Sequence, residues 1–403
     1  MDKLKVLFLM GPADCNDPNI PRYSEEFLKE LSAECGFEIV CAPLEEVAAQ
    51  ELPVFFIASG GSEQGFKNAY KAVKPPYMLL TTPAYNSLAA AMEILGYLDE
   101  NEKKGEILHG SLSRIAARLK TLRRAAEAIR RVRGMRLGAI GEPSGLIASD
   151  ADAAALKRAC GMELIDLDLK ELVEEYKKGG YPENEYTKAL ENSGYDINEV
   201  KKALNVYGAA KRMVGKYGLQ AVTVRCFDLL NLIGTTGCLA LAILNAEGIP
   251  AACEGDKKSM ISMAVAAAVT GGDSFMANPS CMDPDTGEII FAHCTLPIDM
   301  PDSYTLTTHF ESGIGVAVSG DLEPCEMTIF KCNGDLSRWY ADRAELIETT
   351  HRDDLCRTQM RLRLSRGTEY FERSPISNHH MLLRGDWTAE LAEFFALLKS
   401  GDN

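Results

Sequence analysis

The fold is decided by residues 221–272, which read "AVTVRCFDLLNLIGTTGCLALAILNAEGIPAACEGDKKSMISMAVAAAVTGG". A short β-branched run comes first, followed by Asp228 and an apolar helical pattern that ends at Gly248. A second apolar run then leads to Glu254, and another helical pattern follows Asp256. Strand and helix patterns that alternate in this way predict an α/β layer with a largely parallel sheet.

The same alternation extends outward from this segment. Near the N-terminus it appears in "KVLFLMG", "FEIVCAPL", "VFFIASGG" and "YMLLTTP", and a second unit begins at "MRLGAIGEPSG". From residue 304 onward the sequence pattern changes to β-rich runs such as "YTLTTHF", "EMTIFKC" and "TQMRLRLS". Runs of this kind favour an antiparallel or barrel-like structure. We therefore predict two α/β (Rossmann-like) domains with parallel sheets, followed by a β-rich, barrel-like C-terminal domain.

The predicted domain boundaries follow these changes in pattern. Residues 1–133 form an N-terminal α/β domain with a connecting helix. Residues 134–303 form a central α/β domain that carries an acidic site. Residues 304–403 form the β-rich domain with an amphipathic terminal helix.

Composition narrows the class of protein. An apolar fraction of 46% with 25% charged residues is typical of a soluble globular chain, and no apolar run approaches the roughly 20 residues of a membrane span. The first apolar run is shorter than a signal-peptide core, which predicts a cytoplasmic protein. Twelve cysteines without any Cys-x-x-Cys pair are expected to be free thiols. The net charge of -15 gives no general attraction to nucleic acid.

Polar side chains follow three strand-like runs within the central region. Asp228, Glu254 and Asp256 come after apolar runs, and His293 ends the run "EIIFAH". Ligands of open α/β sheets collect beyond the carboxyl ends of the strands, so this convergence predicts a site. Taken singly, Asp228 and Asp256 also fit helix N-caps, and His293 also fits a hydrogen-bonded core histidine.

Three segments in this order resemble the L-fucose isomerase and L-arabinose isomerase superfamily of metal-dependent aldose-ketose isomerases. They are "CEGDKKSM" (253–260), "GGDSFMAN…GEIIFAHC" (271–294) and "SNHHMLLRGD" (377–386). The resemblance is best over residues 221–294 and 377–386.

The resemblance implies roles for individual residues. Asp256 would be a metal ligand and acid-base group, Asp228 a second acidic ligand and catalytic carboxylate, and His379 the histidine ligand. Glu254 and His293 match ligand positions of the arabinose branch, and we predict that they contact the substrate. It also implies a homo-oligomer, a trimer or hexamer. The helical pattern at 111–133, which looks exposed, is a separate reason to expect contacts between subunits.

The adjacent histidines 379 and 380 cannot both reach one ion if they lie on a strand, because successive side chains point to opposite faces. The resemblance favours His379 as the ligand. His380 would then contact the substrate or support the site, with a core or interface role as the alternative. Arg225 and Arg384 are predicted substrate contacts that could pair with an anionic group.

The residue types suit aldose-ketose isomerisation. A carboxylate can move a proton between neighbouring carbons, and a divalent ion can stabilise the enediolate. A carboxylate-rich site with one histidine suits Mn²⁺ or Mg²⁺. We therefore predict a Mn²⁺-dependent sugar isomerase.

Ala277 keeps two alternatives open. It stands where the arabinose branch has a metal-binding glutamate, so the four-ligand site of that branch cannot be complete. One alternative is a sugar-binding protein that has lost turnover. The other is metal-assisted carbonyl chemistry on an acidic sugar.

Overall fold

The computed structural model describes residues 3–400. The chain folds into two compact units. One contains the described residues up to Arg130 and those from Ala392 onward, and the other runs from Arg131 to Leu391.

The first unit is a parallel sheet with helices. Its strands are β1 Leu4–Leu9, β2 Ile39–Cys41, β3 Val54–Ile57, β4 Tyr77–Thr81 and β5 Gly105–Leu108. Its helices are α1 Asn19–Cys35, α2 Leu44–Ala48, α3 Glu63–Ala69, α4 Ser87–Glu100 and α5 Leu112–Val132, the last of which runs on into the second unit. The strand order is β2-β1-β3-β4-β5 and every pairing is parallel.

The second unit begins with a smaller parallel sheet. Its strands are β6 Arg136–Ile140, β7 Glu163–Leu167, β8 Ala221–Val224 and β9 Ala251–Ala252. Its helices are α6 Ala153–Cys160, α7 Leu169–Lys177, α8 Glu185–Glu191, α9 Ile197–Tyr217, α10 Phe227–Ile233, α11 Cys238–Ala246 and α12 Lys257–Thr270. The order β7-β6-β8-β9 repeats that of the first four strands of the chain.

An antiparallel barrel completes the second unit. The remaining strands are β10 Phe275–Asp283, β11 Glu288–His293, β12 Ser303–Thr307, β13 Ala317–Asp321, β14 Glu326–Cys332, β15 Trp339–Thr349, β16 Thr358–Leu364 and β17 His380–Arg384. Six of them close in the order β10-β11-β16-β15-β14-β17, while β12 and β13 form a separate pair. Two helices remain. Helix α13 Glu369–Arg373 belongs to the second unit, whereas α14 Thr388–Ser400 begins in the second unit and runs on into the first.

The predicted fold class is confirmed, because parallel α/β layers precede an antiparallel barrel. The barrel takes β10 and β11 from residues before 304. The predicted domain boundaries themselves stay predictions.

Helix α12 places the sheet next to the barrel. Its side chains are buried on almost every face, because the helix packs against β8 and β9 of the sheet and also against β14 and β17 of the barrel. The turn that precedes α12 therefore lies where the carboxyl end of β9 meets the barrel.

Within residues 3–400, no single helix has both the length and the apolar character needed to cross a membrane. Helices α10 and α11 meet that criterion only when taken together, and the chain bends by 119° between them.

Candidate metal centre

The turn after β9 is held in a strained conformation. Glu254 has φ 63 and Gly255 has φ 68. The left-handed region costs a residue with a side chain on the order of 1 kcal/mol, and such strain collects at functional sites. A Cβ atom on Gly255 would lie 2.5 Å from the carbonyl oxygen of Glu142, so only glycine fits. The amide of Ser144 donates to the carbonyl oxygen of Glu254 at 2.8 Å and holds the turn.

Three side chains converge on this turn. Glu254, His293 and His379 each offer one ligand atom, and these atoms lie within 4.8 Å of one another. Oε1 of Glu254 is 3.4 Å from Nε2 of His293 and 3.5 Å from Nε2 of His379. The Glu254 side chain keeps 14% of its surface exposed, whereas both histidines are buried. The group is a candidate metal site.

The remaining nitrogen of each histidine already has a partner. Nδ1 of His293 lies 2.9 Å from Oγ1 of Thr295, and Nδ1 of His379 lies 2.9 Å from Oδ2 of Asp256. Partners of this kind fix the tautomer and orientation of a metal-binding imidazole. Both rings therefore present Nε2 towards Glu254.

Asp256 joins the site to a helix and to the barrel. Its Oδ1 accepts from the amide of Ser259 at 2.8 Å, which caps α12, and its Oδ2 accepts from the Ser259 hydroxyl at 2.6 Å. Lys331 of β14 donates to that hydroxyl at 2.8 Å and lies 3.8 Å from Oδ2 of Asp256. Asp256, Lys331 and His379 are fully buried. A hydrogen-bonded chain thus runs from the barrel to the imidazole of His379.

Opposite charges set the protonation of this group. Burial acts to raise the pKa of the Glu254 carboxyl, but His293 and His379 outweigh it and hold that pKa well below its usual range. Burial likewise acts to raise the pKa of Asp256, and Lys331 and His379 outweigh it. For His379, the two carboxylates overcome burial and raise the pKa. A site that holds a proton between two carboxylates is chemically suited to a cation, since metal binding displaces such protons.

Asp228 is not a member of this three-residue group. It occupies the first turn of α10 with 43% of its side chain exposed, and its carboxylate pairs with Arg225 at 2.9 Å. Arg225 also donates to the carbonyl oxygens of Glu142 and Pro143. The structure thus brings Glu254, Asp256 and the two histidines together, and it pairs Asp228 with Arg225.

Arg384 lies at the opposite end of β17 from the histidine pair. About 13 Å of strand separates it from His380, at about 3.3 Å per residue. Its guanidinium pairs with Asp302 at 3.2 Å.

His380 is bonded within the chain at both nitrogens. Nδ1 donates to the carbonyl oxygen of Asn378 at 2.9 Å, and Nε2 accepts from the Tyr370 hydroxyl at 3.0 Å. Its ring is fully buried beside Phe371, and burial lowers the pKa of His380 to about 3. These contacts describe a neutral core histidine.

The sequence did not point to two supporting groups. Lys331 is the main one, and its only signal was a lysine inside the apolar run "MTIFKC". The side-chain amide of Asn378 is the other. Its Nδ2 donates to Oδ1 of Asn278 at 2.9 Å and lies 3.4 Å from Nε2 of His379. Asn278 directly follows Ala277, which is buried in β10 opposite His380.

Known proteins that are similar in sequence to this chain carry the same activity in their names. A sulfoquinovose isomerase of Priestia aryabhattai is 28% identical over 211 residues, which are 49% of this chain and 47% of that protein. One of Alkalicoccus urumqiensis is 24% identical over 221 residues, 52% and 49% of the two chains. A third, of a Clostridium species, is 29% identical over 181 residues, 42% and 40%.

The chain is similar to sulfoquinovose isomerases. It spans about half the length of the curated relatives it matches, and no family model matches it. The resemblance to sugar isomerases noted from the motifs is thus supported at the level of these homologues.

Proposed function

We propose that this protein is an aldose-ketose isomerase that binds a divalent metal ion through Glu254, His293 and His379 and acts on a sulfonated sugar. The observation that carries the proposal is the convergence of one carboxylate oxygen and two imidazole nitrogens at a strained turn. Sulfoquinovose isomerases are among the relatives of the chain, and sulfoquinovose is an aldose with a sulfonate on C6.

The donor set suits a first-row divalent ion. One carboxylate and two imidazoles leave coordination positions open for a substrate, and the imidazoles favour such an ion over Mg²⁺, which prefers oxygen ligands. We propose Mn²⁺. When bound, such an ion supplies positive charge that stabilises the two oxygens of the enediolate.

The protein must move one proton between two carbons. A carboxylate takes the proton from C2 of the aldose and returns it to C1, while the hydroxyl proton at O2 passes to O1, so the formula of the sugar is unchanged. Glu254 is the carboxylate that we assign to this transfer. It remains partly exposed, and its Oε2 has no hydrogen-bond partner among residues 3–400.

Asp256 is better placed to position His379 than to reach a sugar. It is fully buried, and both of its oxygens accept hydrogen bonds. The ligand and catalytic roles that the resemblance implies for Asp256 and Asp228 stay predictions, as do cytoplasmic location and a homo-oligomeric state.

The test uses the purified protein stripped with a chelator and reloaded separately with Mn²⁺, Mg²⁺, Co²⁺ or Zn²⁺. We expect Mn²⁺ to restore conversion of sulfoquinovose to its ketose. When the reaction is run in ²H₂O, we expect NMR to show deuterium from the solvent at C1 or C2 of the sugar. Absence of both ketose and exchange with every ion would overturn the proposal.

Ala277 favours a second candidate, a sugar-binding protein without turnover. Its buried methyl group supplies no carboxylate where the arabinose branch has one. This candidate requires that calorimetry detect binding of Mn²⁺ and sulfoquinovose while the sugar takes up no deuterium.

A further inference from the structure

A side-chain amide of the barrel touches one of the candidate metal ligands. Nδ2 of Asn378 lies 3.4 Å from Nε2 of His379. This is the same imidazole nitrogen that lies 3.5 Å from Oε1 of Glu254. The Asn378 amide therefore borders the place where a metal ion and the oxygens bound to it would lie.

A second asparagine holds this amide in place. Nδ2 of Asn378 donates to Oδ1 of Asn278 at 2.9 Å, although the two residues are 100 positions apart. Ala277 of β10 pairs with His380 of β17. One step further along this ladder, Asn278 comes opposite His379 and shares its face of the barrel wall. Asn378 is exposed and Asn278 only partly so, and the bond between them fixes a side chain that would otherwise turn freely.

The contact with Asn278 uses only half of the donor capacity of Asn378. An amide nitrogen carries two N–H groups, and one of them is taken by Oδ1 of Asn278. The second lies next to Nε2 of His379. A ring nitrogen has a single lone pair, which a bound cation takes up. With a cation on His379, the second N–H of Asn378 is therefore free to donate to another oxygen at the metal centre.

We propose that Asn378 is a catalytic residue that donates a hydrogen bond to O1 of the sugar, and that Asn278 positions it. The inference rests on the proposed function and adds a residue to its site. When the carboxylate takes the proton from C2, the electron pair of the C–H bond moves between C1 and C2, and the carbonyl pair moves onto O1. A fixed donor beside an oxygen whose charge grows lowers the barrier. The amide keeps both of its hydrogens throughout.

A purely structural role for the two asparagines predicts a different result. In that case they tie the segment before β17 to β10, and water takes the second N–H of Asn378. Removing the amide would then lower thermal stability or Mn²⁺ affinity, and it would weaken every sugar ligand by the same factor. A catalytic role instead predicts a selective loss, because only interactions that strengthen with the developing charge increase the rate.

The experiment compares wild type with Asn378→Ala and Asn278→Ala, both loaded with Mn²⁺. Two ligands are titrated by calorimetry. The first is a hydroxamate analogue of sulfoquinovose in which nitrogen replaces C1, so that its two oxygens resemble those of the enediolate. The second is the alditol of the same sugar, which has O1 and O2 but gains no charge. Asn192→Ala is the matched control, because Asn192 is also an exposed amide that donates within the chain, to the carbonyl oxygen of Lys188 at 2.7 Å.

We expect Asn378→Ala to lower kcat for sulfoquinovose about 10- to 100-fold and to change KM less than about 3-fold, because hydrogen bonds to charged groups are worth this much. Affinity for the hydroxamate should fall by a similar factor. Affinity for the alditol, Mn²⁺ affinity and thermal stability should stay close to wild type. Asn278→Ala should show the same selectivity with a smaller loss of about 3- to 10-fold, and Asn192→Ala should match wild type.

Two results would overturn the proposal. One is a loss in Asn378→Ala that is equal for the hydroxamate and the alditol, or no loss for either. The other is a fall in thermal stability or Mn²⁺ affinity that accounts for the lower rate, since this would assign both asparagines to the structure of the barrel wall.

Failure of the proposed function can be recognised separately, because the titrations need no turnover. If wild type converts no sugar but binds the hydroxamate, a selective loss of that binding in Asn378→Ala would support the hydrogen bond without isomerase activity. Equal hydroxamate affinities in wild type and Asn378→Ala, or no hydroxamate binding at all, would overturn the role of Asn378 itself.

Discussion

The two parallel sheets share a strand order, yet their carboxyl ends differ in chemistry. In the first unit, short polar groups and backbone close the strand ends. The amide of Gly11 donates to the Ser59 hydroxyl at 3.0 Å, that of Gly60 to the carbonyl oxygen of Tyr85 at 2.8 Å, and that of Thr82 to the Ser87 hydroxyl. In the second unit, the turn after β9 carries the carboxylate of Glu254, which lies beside two imidazoles.

Strand order therefore sets where a site can form, and other elements decide which side chains it contains. Both candidate histidine ligands come from the barrel segments that adjoin β9, His293 at the end of β11 and His379 just before β17. No second group of three metal-ligating side chains is found in the described part of the chain.

The largest expected effect is at His379. His379→Ala should weaken Mn²⁺ binding by at least about 100-fold, because losing a ligand costs more than losing a supporting group, which costs 10- to 100-fold. His380→Ala should retain the metal, since both of its nitrogens are bonded within the chain. Metal analysis of the folded proteins checks this, and the reverse order would transfer the ligand role to His380.

Lys331→Met should destabilise the metal-free protein by up to about 3–5 kcal/mol, because it removes the lysine charge that offsets the buried carboxylate of Asp256 and leaves only His379 to do so. The double variant Asp256→Asn with Lys331→Met removes both charges and should recover part of this loss. Urea unfolding measures the effect. Equal stabilities for the single variant and wild type would show that the buried lysine does not compensate Asp256.

Asp256→Asn should weaken Mn²⁺ binding about 10- to 100-fold through the orientation of His379. The cap of α12 should survive, because asparagine caps about as well as aspartate. Calorimetry with Mn²⁺ and helix content by circular dichroism separate the two roles. Unchanged affinity and activity would reduce Asp256 to a helix cap.

Asp273, just beyond the other end of α12, provides a contrast with Asp256 and a pH test. Burial and the charge of Asp299 raise the pKa of Asp273 to about 6, and its Oδ2 lacks a hydrogen-bond partner among the described residues. A carboxyl whose folded pKa is raised binds its proton more tightly when folded, so stability falls as pH rises from about 4 to about 6.

Asp273→Asn should therefore add about 1–3 kcal/mol to the free energy of unfolding at pH 7 and nothing at pH 3. Denaturant titrations at both pH values check this. An equal change at the two pH values would assign the effect to packing instead of charge.

The smallest effect is expected in the first unit. Ser59→Ala removes a buried hydrogen bond to Gly11 and should cost about 1–2 kcal/mol of stability while leaving Mn²⁺ affinity unchanged. A metal defect in this variant would contradict the structural role assigned to those strand ends.

The sequence predicted the α/β layers because strand and helix periods differ clearly, and it pointed to Glu254 and His293 because both end apolar runs. It could not show that Asp228 forms an ion pair. Asp228 and Glu254 both follow strands in the sequence. Only the structure shows that Arg225, three residues earlier, forms an ion pair with the carboxylate of Asp228. The sequence could not predict the role of Lys331 for a similar reason, because its partner Ser259 lies 72 residues away along the chain.

The order of the barrel strands has a consequence for biosynthesis. Glu254 and His293 leave the ribosome well before His379, which directly precedes β17, the last strand of the barrel. A nascent chain would therefore offer only two of the three donors until that strand pairs with β10 and β14. Metal capture would thus be reserved for chains whose barrel has closed, and partly made chains would not compete for the ion.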